Sequence, residues 1–328
     1  MRILQENLPD LPHARRFQWL YRDNPDGPAW SWFACDGEKG HAIGATSVFP
    51  RAVWIDGQPG LCGQVGDFGV AAGYRSLGPA VMMQRATFGP VDEGKLSFCY
   101  DCPPHAAGMS TFRRLGMSST CEVIRYSIPL RVNRYLRRRF GPAGSLLSPA
   151  GNLFCVLSRS LKSRRHDFEI QEHMGPFGEE FTRLDTAVNG GSLLRSRRTA
   201  AHLNWRYRAD PLRQYRVLTA RRGNELRCFL VLSEHAEVAT VIDLFGAEFP
   251  VAARALLGAA IEFCASRCYA VEAFTSKGSH LSGALAEAGF HARSVAAQVV
   301  TYSKRGSETA RRFHDGPRWM MTAADIQA

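Results

Sequence analysis

Short apolar runs follow one another along this chain, some alternating with polar residues and some at helical spacing, between glycine, proline and aspartate breakers. Arg2 to Asn7 reads as a strand and Pro12 to Tyr21 as a helix that stops at a proline. Trp30 to Ala34, Ala42 to Trp54 and Gln64 to Val70 read as a three-strand meander, turned at Asp36-Gly37 and Asp56-Gly57. A helix over Pro79 to Phe88, a strand over Leu96 to Tyr100, a helix over His105 to Leu115 and a strand over Glu122 to Pro129 follow.

The same order then returns. Phe168 to Glu172 is an expected strand, with helices around 179–188 and 199–207 after it. Tyr215–Thr219, Cys228–Leu232 and Ala239–Leu244 are expected strands, and Pro250–Cys264 a helix. Strand Ala270–Phe274, helix His280–Ala288 and strand Ala296–Tyr302 close the series. Three landmarks recur in order. Phe17-Gln-Trp19-Leu-Tyr21-Arg22-Asp-Asn-Pro25 parallels Leu203-Asn-Trp205-Arg-Tyr207-Arg208-Ala-Asp-Pro211. Val65-Gly-Asp67-Phe68 parallels Val241-Ile-Asp243-Leu244, and Phe112…Gly116-Met117 parallels Leu285…Gly289-Phe290. One fold used twice is the expectation. Residues 1–130 and 167–305 form the two domains, 131–166 a basic linker and 306–328 a polar tail in which Trp319-Met320-Met321 could dock.

The turn between the meander and the first long helix carries the chemistry. The strand Val65 to Val70 feeds Ala71-Ala72-Gly73-Tyr74-Arg75-Ser76-Leu77-Gly78-Pro79-Ala80 and then the helical run Val81 to Phe88. Backbone N–H groups at such a helix start point outward, the dipole favours negative charge, and Arg75 adds a cation, so a pyrophosphate is the expected ligand. The pattern resembles the acyl-coenzyme A loop of the GNAT N-acetyltransferases. Val70, Tyr74, Arg75, Gly78 and Ala80 match its signature; Ala72 stands where proline is usual, and Pro79 removes one N–H from the turn. The element order of residues 1–130 agrees with a GNAT domain. The implied fold class is α/β (α+β), two GNAT-like domains, each with a mixed, mostly antiparallel twisted sheet flanked by helices.

The resemblance implies acetyl-coenzyme A or another acyl-coenzyme A as cosubstrate, with the thioester between the strand ending at Val70 and the strand ending near Tyr100. Backbone groups of Phe68, Gly69 and Val70 would pair with the pantetheine amides and polarise the thioester carbonyl, while Arg75, Ser76, Leu77, Gly78 and Ala80 hold the pyrophosphate. An acceptor amine attacks after losing a proton to a carboxylate or histidine. Asp67 is the leading candidate base, although at a bulge between Gly66 and Gly69 it could equally serve backbone donors. Tyr100 and His105 are the alternatives as acid or relay, and Asp101 is close by. Family members often carry a tyrosine where Phe112 stands, and phenylalanine cannot protonate a leaving thiolate. The second half lacks the loop, and Glu248 at the corresponding turn would repel a phosphate, so one cofactor site is expected.

Composition narrows this picture. No run of eighteen uncharged apolar residues occurs, and the N-terminus lacks the pattern of a secretory signal. Nine irregularly spaced cysteines then suggest reduced thiols in a cytoplasm. Cys99-x-x-Cys102 has no partner motif, so no metal is expected, and Cys264 and Cys268 read as core. Net charge is +11, with nine Arg/Lys and no acid between Arg131 and His166 and nine arginines against Asp210 between Arg195 and Arg222. These clusters are either a solvated face or a surface for phosphate-bearing partners. Leu153, Phe154, Val156, Leu157 and Leu161 beside Arg159, Lys162, Arg164 and Arg165 would either pack between domains or lie on an anionic membrane.

Three functions compete. The first is acyl transfer from acyl-coenzyme A to an amine of a small molecule, sugar or cell-envelope precursor. The second is tRNA-dependent aminoacyl transfer by a doubled GNAT fold; the basic clusters would suit a tRNA backbone, but an intact coenzyme A signature argues against nucleic acid. The third is a non-catalytic acyl-coenzyme A sensor or scaffold.

Overall fold

The computed structural model describes residues 2–9, 13–75, 77–103, 106–131, 167–188, 194–314 and 319–326. The apolar and basic stripe of the linker, Ser76 and His105 lie outside the described residues. The first half comprises α1 (Arg2–Asn7), α2 (His13–Phe17, continued as a π turn over Gln18–Arg22), β1 (Trp30–Cys35), β2 (Ala42–Ile55), β3 (Gln58–Val70), α3 (Leu77–Ala86), α4 (Gly89–Asp92), β4 (Phe98–Asp101), α5 (Ala106–Arg114) and β5 (Cys121–Pro129). The second half holds β6 (Glu169–Glu172), α6 (Glu179–Ala187), β7 (Leu194–Ser196), α7 (Ala200–Tyr207), β8 (Arg216–Arg222), β9 (Glu225–His235), β10 (Val238–Gly246), α8 (Val251–Cys264), β11 (Ala270–Ser276), α9 (His280–Glu287) and β12 (His291–Tyr302). The chain closes with α10 (Glu308–His314), β13 (Trp319–Met320) and α11 (Ala323–Ile326).

Residues 2–7 correct an expectation: they form a helix, not a strand. Ile3 and Leu4 are adjacent, and both bury against Ala45. In a strand they would face opposite sides. The edge of β2 that a further strand would need is already taken by β1 and β7. The β2–β3 hairpin is as expected at its turn, where Asp56 and Gly57 have φ 47° and 79°, the geometry an Asp-Gly hairpin favours. Strand β3 starts at Gln58, earlier than expected; Pro59 and Gly60 hid its beginning.

The strands join into one sheet in the order β13-β7-β2-β3-β4-β12-β5-β11-β10-β9-β8-β6, with β1 also on β2. Its centre exchanges strands between the halves. β12, from the second half, pairs antiparallel with β4 of the first. β5, from the first half, pairs antiparallel with β11 of the second. β12 and β5 then pair with each other. On either side stands a parallel pair, β3 with β4 and β10 with β11, so the two halves are related by an approximate two-fold axis at the β12–β5 ladder. Each sheet half is therefore completed by the other's closing strand, and the intervening core cannot form from one half alone.

The repeats sit where that axis requires. Trp19 and Trp205 stack with centroids 5.2 Å apart. The indole N–H of Trp19 donates to the Trp205 carbonyl at 2.8 Å, and that of Trp205 to the Trp19 carbonyl at 2.9 Å. Gly116 and Gly289 have φ 72° and 95°. Behind them Met117 N–H reaches the Phe112 carbonyl and Phe290 N–H the Leu285 carbonyl, the same glycine helix cap twice. Trp319, Met320 and Met321 are buried. Trp319 packs edge-on against Phe98 and Tyr100.

Candidate active site

β3 and β4 run in parallel register from Cys62↔Phe98 to Gln64↔Tyr100 and then part. Beyond that point Val65 to Val70 pair only with β2, while β4 ends at Asp101 and turns its other edge to β12. A parted pair of parallel strands leaves backbone donors and acceptors of β3 facing an opening, as strand addition requires. The register slips between Ala45 and Ser47 opposite Asp67. Asp67 takes φ 49°, which aspartate tolerates better than most side chains. The bulge spans Asp67 and Phe68, which together oppose the single residue Thr46, and Gly69 and Val70 resume the regular register.

At the end of β3 the chain makes a short 3₁₀ turn over Ala72–Tyr74 and enters α3 at Leu77. Gly73, Arg75 and Gly78 are exposed, and Ala80 is buried against Val70 and Met83. The first four N–H groups of a helix have no partner within it. In α3 these belong to Leu77, Gly78 and Ala80, since Pro79 has none. Arg75 reaches the Val70 carbonyl at 3.4 Å and Asn7 Oδ1 at 3.3 Å, and among the described residues no carboxylate pairs with it. Tyr74 donates to Asp36 at 2.5 Å and anchors the turn. Exposed Gly73, Arg75 and Gly78 thus set a cation beside helix-start amides that have no partner within α3, which fits a diphosphate. Gly44 lets α3 lie close on β2: a Cβ there would meet Met83 Sδ at 2.6 Å.

The candidate catalytic side chains divide. Asp67 is buried, accepts from Arg16 Nη1 at 2.9 and 3.1 Å, and accepts from the Tyr21 hydroxyl at 2.5 Å. Tyr100 is 2% exposed and donates to the Asp325 carbonyl at 2.9 Å. Its ring packs among Phe98 and Trp319, and burial raises its pKa well above the usual phenol range. Phe112 is buried with Met109, Met117 and Val300. Asp101 differs from all of these. It stands at the residue where β3 and β4 part, and burial pushes its carboxyl up to about 7, an effect that the Cys102 amide only partly offsets. No side-chain ion pair holds it among the described residues. The sequence placed Asp101 near the cleft; its raised pKa comes from packing that a linear pattern does not carry. Cys99 and Cys102 are likewise held as thiols by burial, Cys99 up to about 12 and Cys102 well above the usual range. Among the described residues no cluster has the make-up of a metal site, and every described cysteine is free.

The second half contains the same construction in closed form. β10 and β11 run parallel to Val241↔Ala273 and then part, with a register slip at Val241/Asp243. Asp243 receives Arg198 Nη2 at 2.8 Å, Arg198 Nε at 3.0 and 3.1 Å, and the Tyr207 hydroxyl at 3.2 Å, so the Tyr–Asp–Arg trio of Asp67 recurs. The C-terminal segment fills this second opening. Thr322 donates to Asp243 at 3.3 Å, Ser276 donates to the Trp319 carbonyl, and Met320, Ala323 and Ala324 pack on Ile242 and Phe245. At the turn before α8, Glu248 is held by Arg222 at 2.9 Å and Arg227 at 2.6 Å. A carboxylate thus sits between two arginines where the first half keeps an arginine that no carboxylate pairs among the described residues.

No model of a protein family matches the sequence, and no curated protein matches it in sequence. Solved structures do match. A conserved protein from Enterococcus faecalis V583, described as a probable N-acyltransferase, is 10% identical with a TM-score of 0.62 over 92% of this chain and 68% of that one. A GCN5-related N-acetyltransferase from Anabaena variabilis is 13% identical with a TM-score of 0.63 over the same shares. The N-myristoyltransferase of Saccharomyces cerevisiae with bound myristoyl-CoA is 10% identical with a TM-score of 0.54 over 88% of this chain and 72% of that one. The chain has the GNAT fold, across both halves. Among the described residues no helix is long and apolar enough to cross a membrane.

Proposed function

We propose that this GNAT-fold chain is an acyl-coenzyme A-dependent N-acyltransferase that works from a single site in its first half. The observation that carries the reading is the contrast between two copies of one construction. In the first, parted strands lead to an exposed arginine that no carboxylate among the described residues pairs and to three helix-start amides with no partner within α3. In the second, the parted strands are covered by the C-terminal segment and the turn is occupied by Glu248 and its arginines. The structural relatives, one of them holding myristoyl-CoA, support the cosubstrate class. Acetyl-coenzyme A is the form we propose, with an amine of a small molecule, sugar or cell-envelope precursor as acceptor and a cytoplasmic setting.

In this reading the amides of Leu77, Gly78 and Ala80 and the Arg75 guanidinium hold the diphosphate, and the free edge of Phe68–Val70 holds the pantetheine amides. The acceptor nitrogen bonds to the thioester carbon, the C–S bond breaks, and the sulfur leaves as thiolate. The ammonium proton goes to Asp101, whose carboxyl near 7 is matched to that task. Asp67 holds Arg16 and Tyr21 in place and positions the bulge, as Asp243 does in the half that binds nothing. With Phe112 apolar and the Tyr100 hydroxyl occupied, water relays to the thiolate the second proton, which the nitrogen loses as it becomes an amide.

That last point favours one second reading, an acyl-coenzyme A binder without rapid transfer. A panel of amines incubated with isotope-labelled acetyl-coenzyme A and read by mass spectrometry separates the two. Transfer to at least one amine is expected, with kcat/KM rising through pH 7 as Asp101 ionises. Asp101→Asn should lower kcat at least tenfold, about 1.4 kcal/mol of barrier, and remove that rise. Undiminished turnover in the variant would clear Asp101 of the role.

A further inference from the structure

A cavity of about 530 Å³ opens between α1, α2 with its π turn, and the face of β1 and β2. Its size suits a small ligand rather than water alone. Three features define what it can take. Ile3, Leu4, Ala42 and Ala45 give an apolar floor. Phe17 and Phe33, 39% and 63% exposed, stand in its lining and are two of the few large apolar side chains left in solvent. Its charged lining residues are Arg2, Arg16 and Arg22. Arg16 is neutralised by Asp67, and Arg2 is only loosely paired with Glu6 at 3.8 Å. Arg22 makes no ion pair among the described residues. Between the floor and the arginines a row of hydroxyls runs from Ser31 to Ser47 at 3.0 Å and on to Tyr21 at 3.4 Å.

We propose that this cavity binds an amphipathic anion, an apolar body carrying one carboxylate or phosphate, as the acyl acceptor or the part of it remote from the amine. Exposed aromatic rings at a concave apolar site favour an apolar body. Arg22, without an ion pair among the described residues, and the loosely held Arg2 select an anionic end and reject a cationic one. The cavity adjoins the site through Arg16 and Tyr21, which line it and bind Asp67 on the bulge. The term acceptor rests on the acyltransferase reading above; the binding itself does not.

The test uses the full chain and the fluorescent fatty acid 11-(dansylamino)undecanoate. Its emission should rise on binding. Dodecanoate and dodecyl phosphate should displace it, and dodecyltrimethylammonium at equal concentration should not. Arg22→Glu should weaken binding at least tenfold, and Ala42→Trp, at a half-buried position on the cavity edge, should abolish it. Phe33→Asp, on an exposed strand position, checks the cavity should Ala42→Trp fail to fold. Equal displacement by the cationic detergent, or full binding in both filling and charge variants, would overturn the proposal. Displacement by dodecanoyl-coenzyme A but not by coenzyme A would overturn it too, because the cavity would then house the cosubstrate's own acyl chain. Coenzyme A binding, measured separately by calorimetry, should persist in Arg22→Glu. Its absence from the native chain would fell the cosubstrate assignment and leave the cavity's result standing.

Discussion

Asp67, on β3, and Asp101, at the end of β4, ask for different experiments. Asp67 neutralises a buried arginine, so Asp67→Asn removes one partner of a buried ion pair and should cost on the order of 3 kcal/mol of stability. Urea unfolding would measure it, with acetyl-coenzyme A affinity unchanged in the folded variant. A kinetic loss at native stability would instead return the role of base to Asp67. Asp101 makes the opposite demand. Burial lifts its carboxyl from the ordinary 3.8 to about 7 in the fold. The protonated form is therefore the one the fold favours: this contribution is complete at pH values below the unfolded pKa and is lost as pH rises through 7. The native chain should lose stability between about pH 4 and pH 7, and Asp101→Asn, neutral throughout, should not show this component. Parallel pH dependence of melting in the two proteins would contradict the raised carboxyl.

At the scale of elements, the sheet depends on close approaches that a side chain would forbid. A Cβ on Gly246 would lie 2.3 Å from the Arg227 carbonyl and 2.4 Å from Cys228 Cα, both main-chain atoms of the neighbouring strand. Gly246→Ala should therefore push β10 off β9 and destabilise the chain by several kcal/mol, roughly the upper range for a point substitution, seen as a drop in the urea midpoint. Elements governed by local chemistry were legible in the sequence. The Asp56-Gly57 hairpin and the two glycine caps each follow from backbone demands of a few adjacent residues. Features set by distant partners were not. Ile3 and Leu4 form a helix because β2 has no edge left for them. The Tyr100 hydroxyl, expected at the cleft, is taken by the Asp325 carbonyl more than two hundred residues later. Asp101 acquires its raised pKa from strands that meet only in the fold.

At the scale of the molecule, the exchange of β5 and β12 binds the halves into one sheet. Neither strand's own pattern discloses this, since either partner would satisfy the same alternation. A fragment of residues 1–130 should then fail to fold by circular dichroism, and co-expression with the remainder should restore soluble protein; an independently folded fragment would contradict the exchange. The same architecture shows how one copy of a duplicated construction could keep a ligand while the other became scaffold. Among the described residues no segment fills the first opening, and the second receives the chain's own residues 319–326. Calorimetric titration with acetyl-coenzyme A tests this most directly. The account predicts one molecule bound per chain, binding abolished by Arg75→Glu combined with Gly78→Asp, and binding retained in Glu248→Gln. Affinity untouched by the double substitution, or lost with Glu248→Gln, would contradict it.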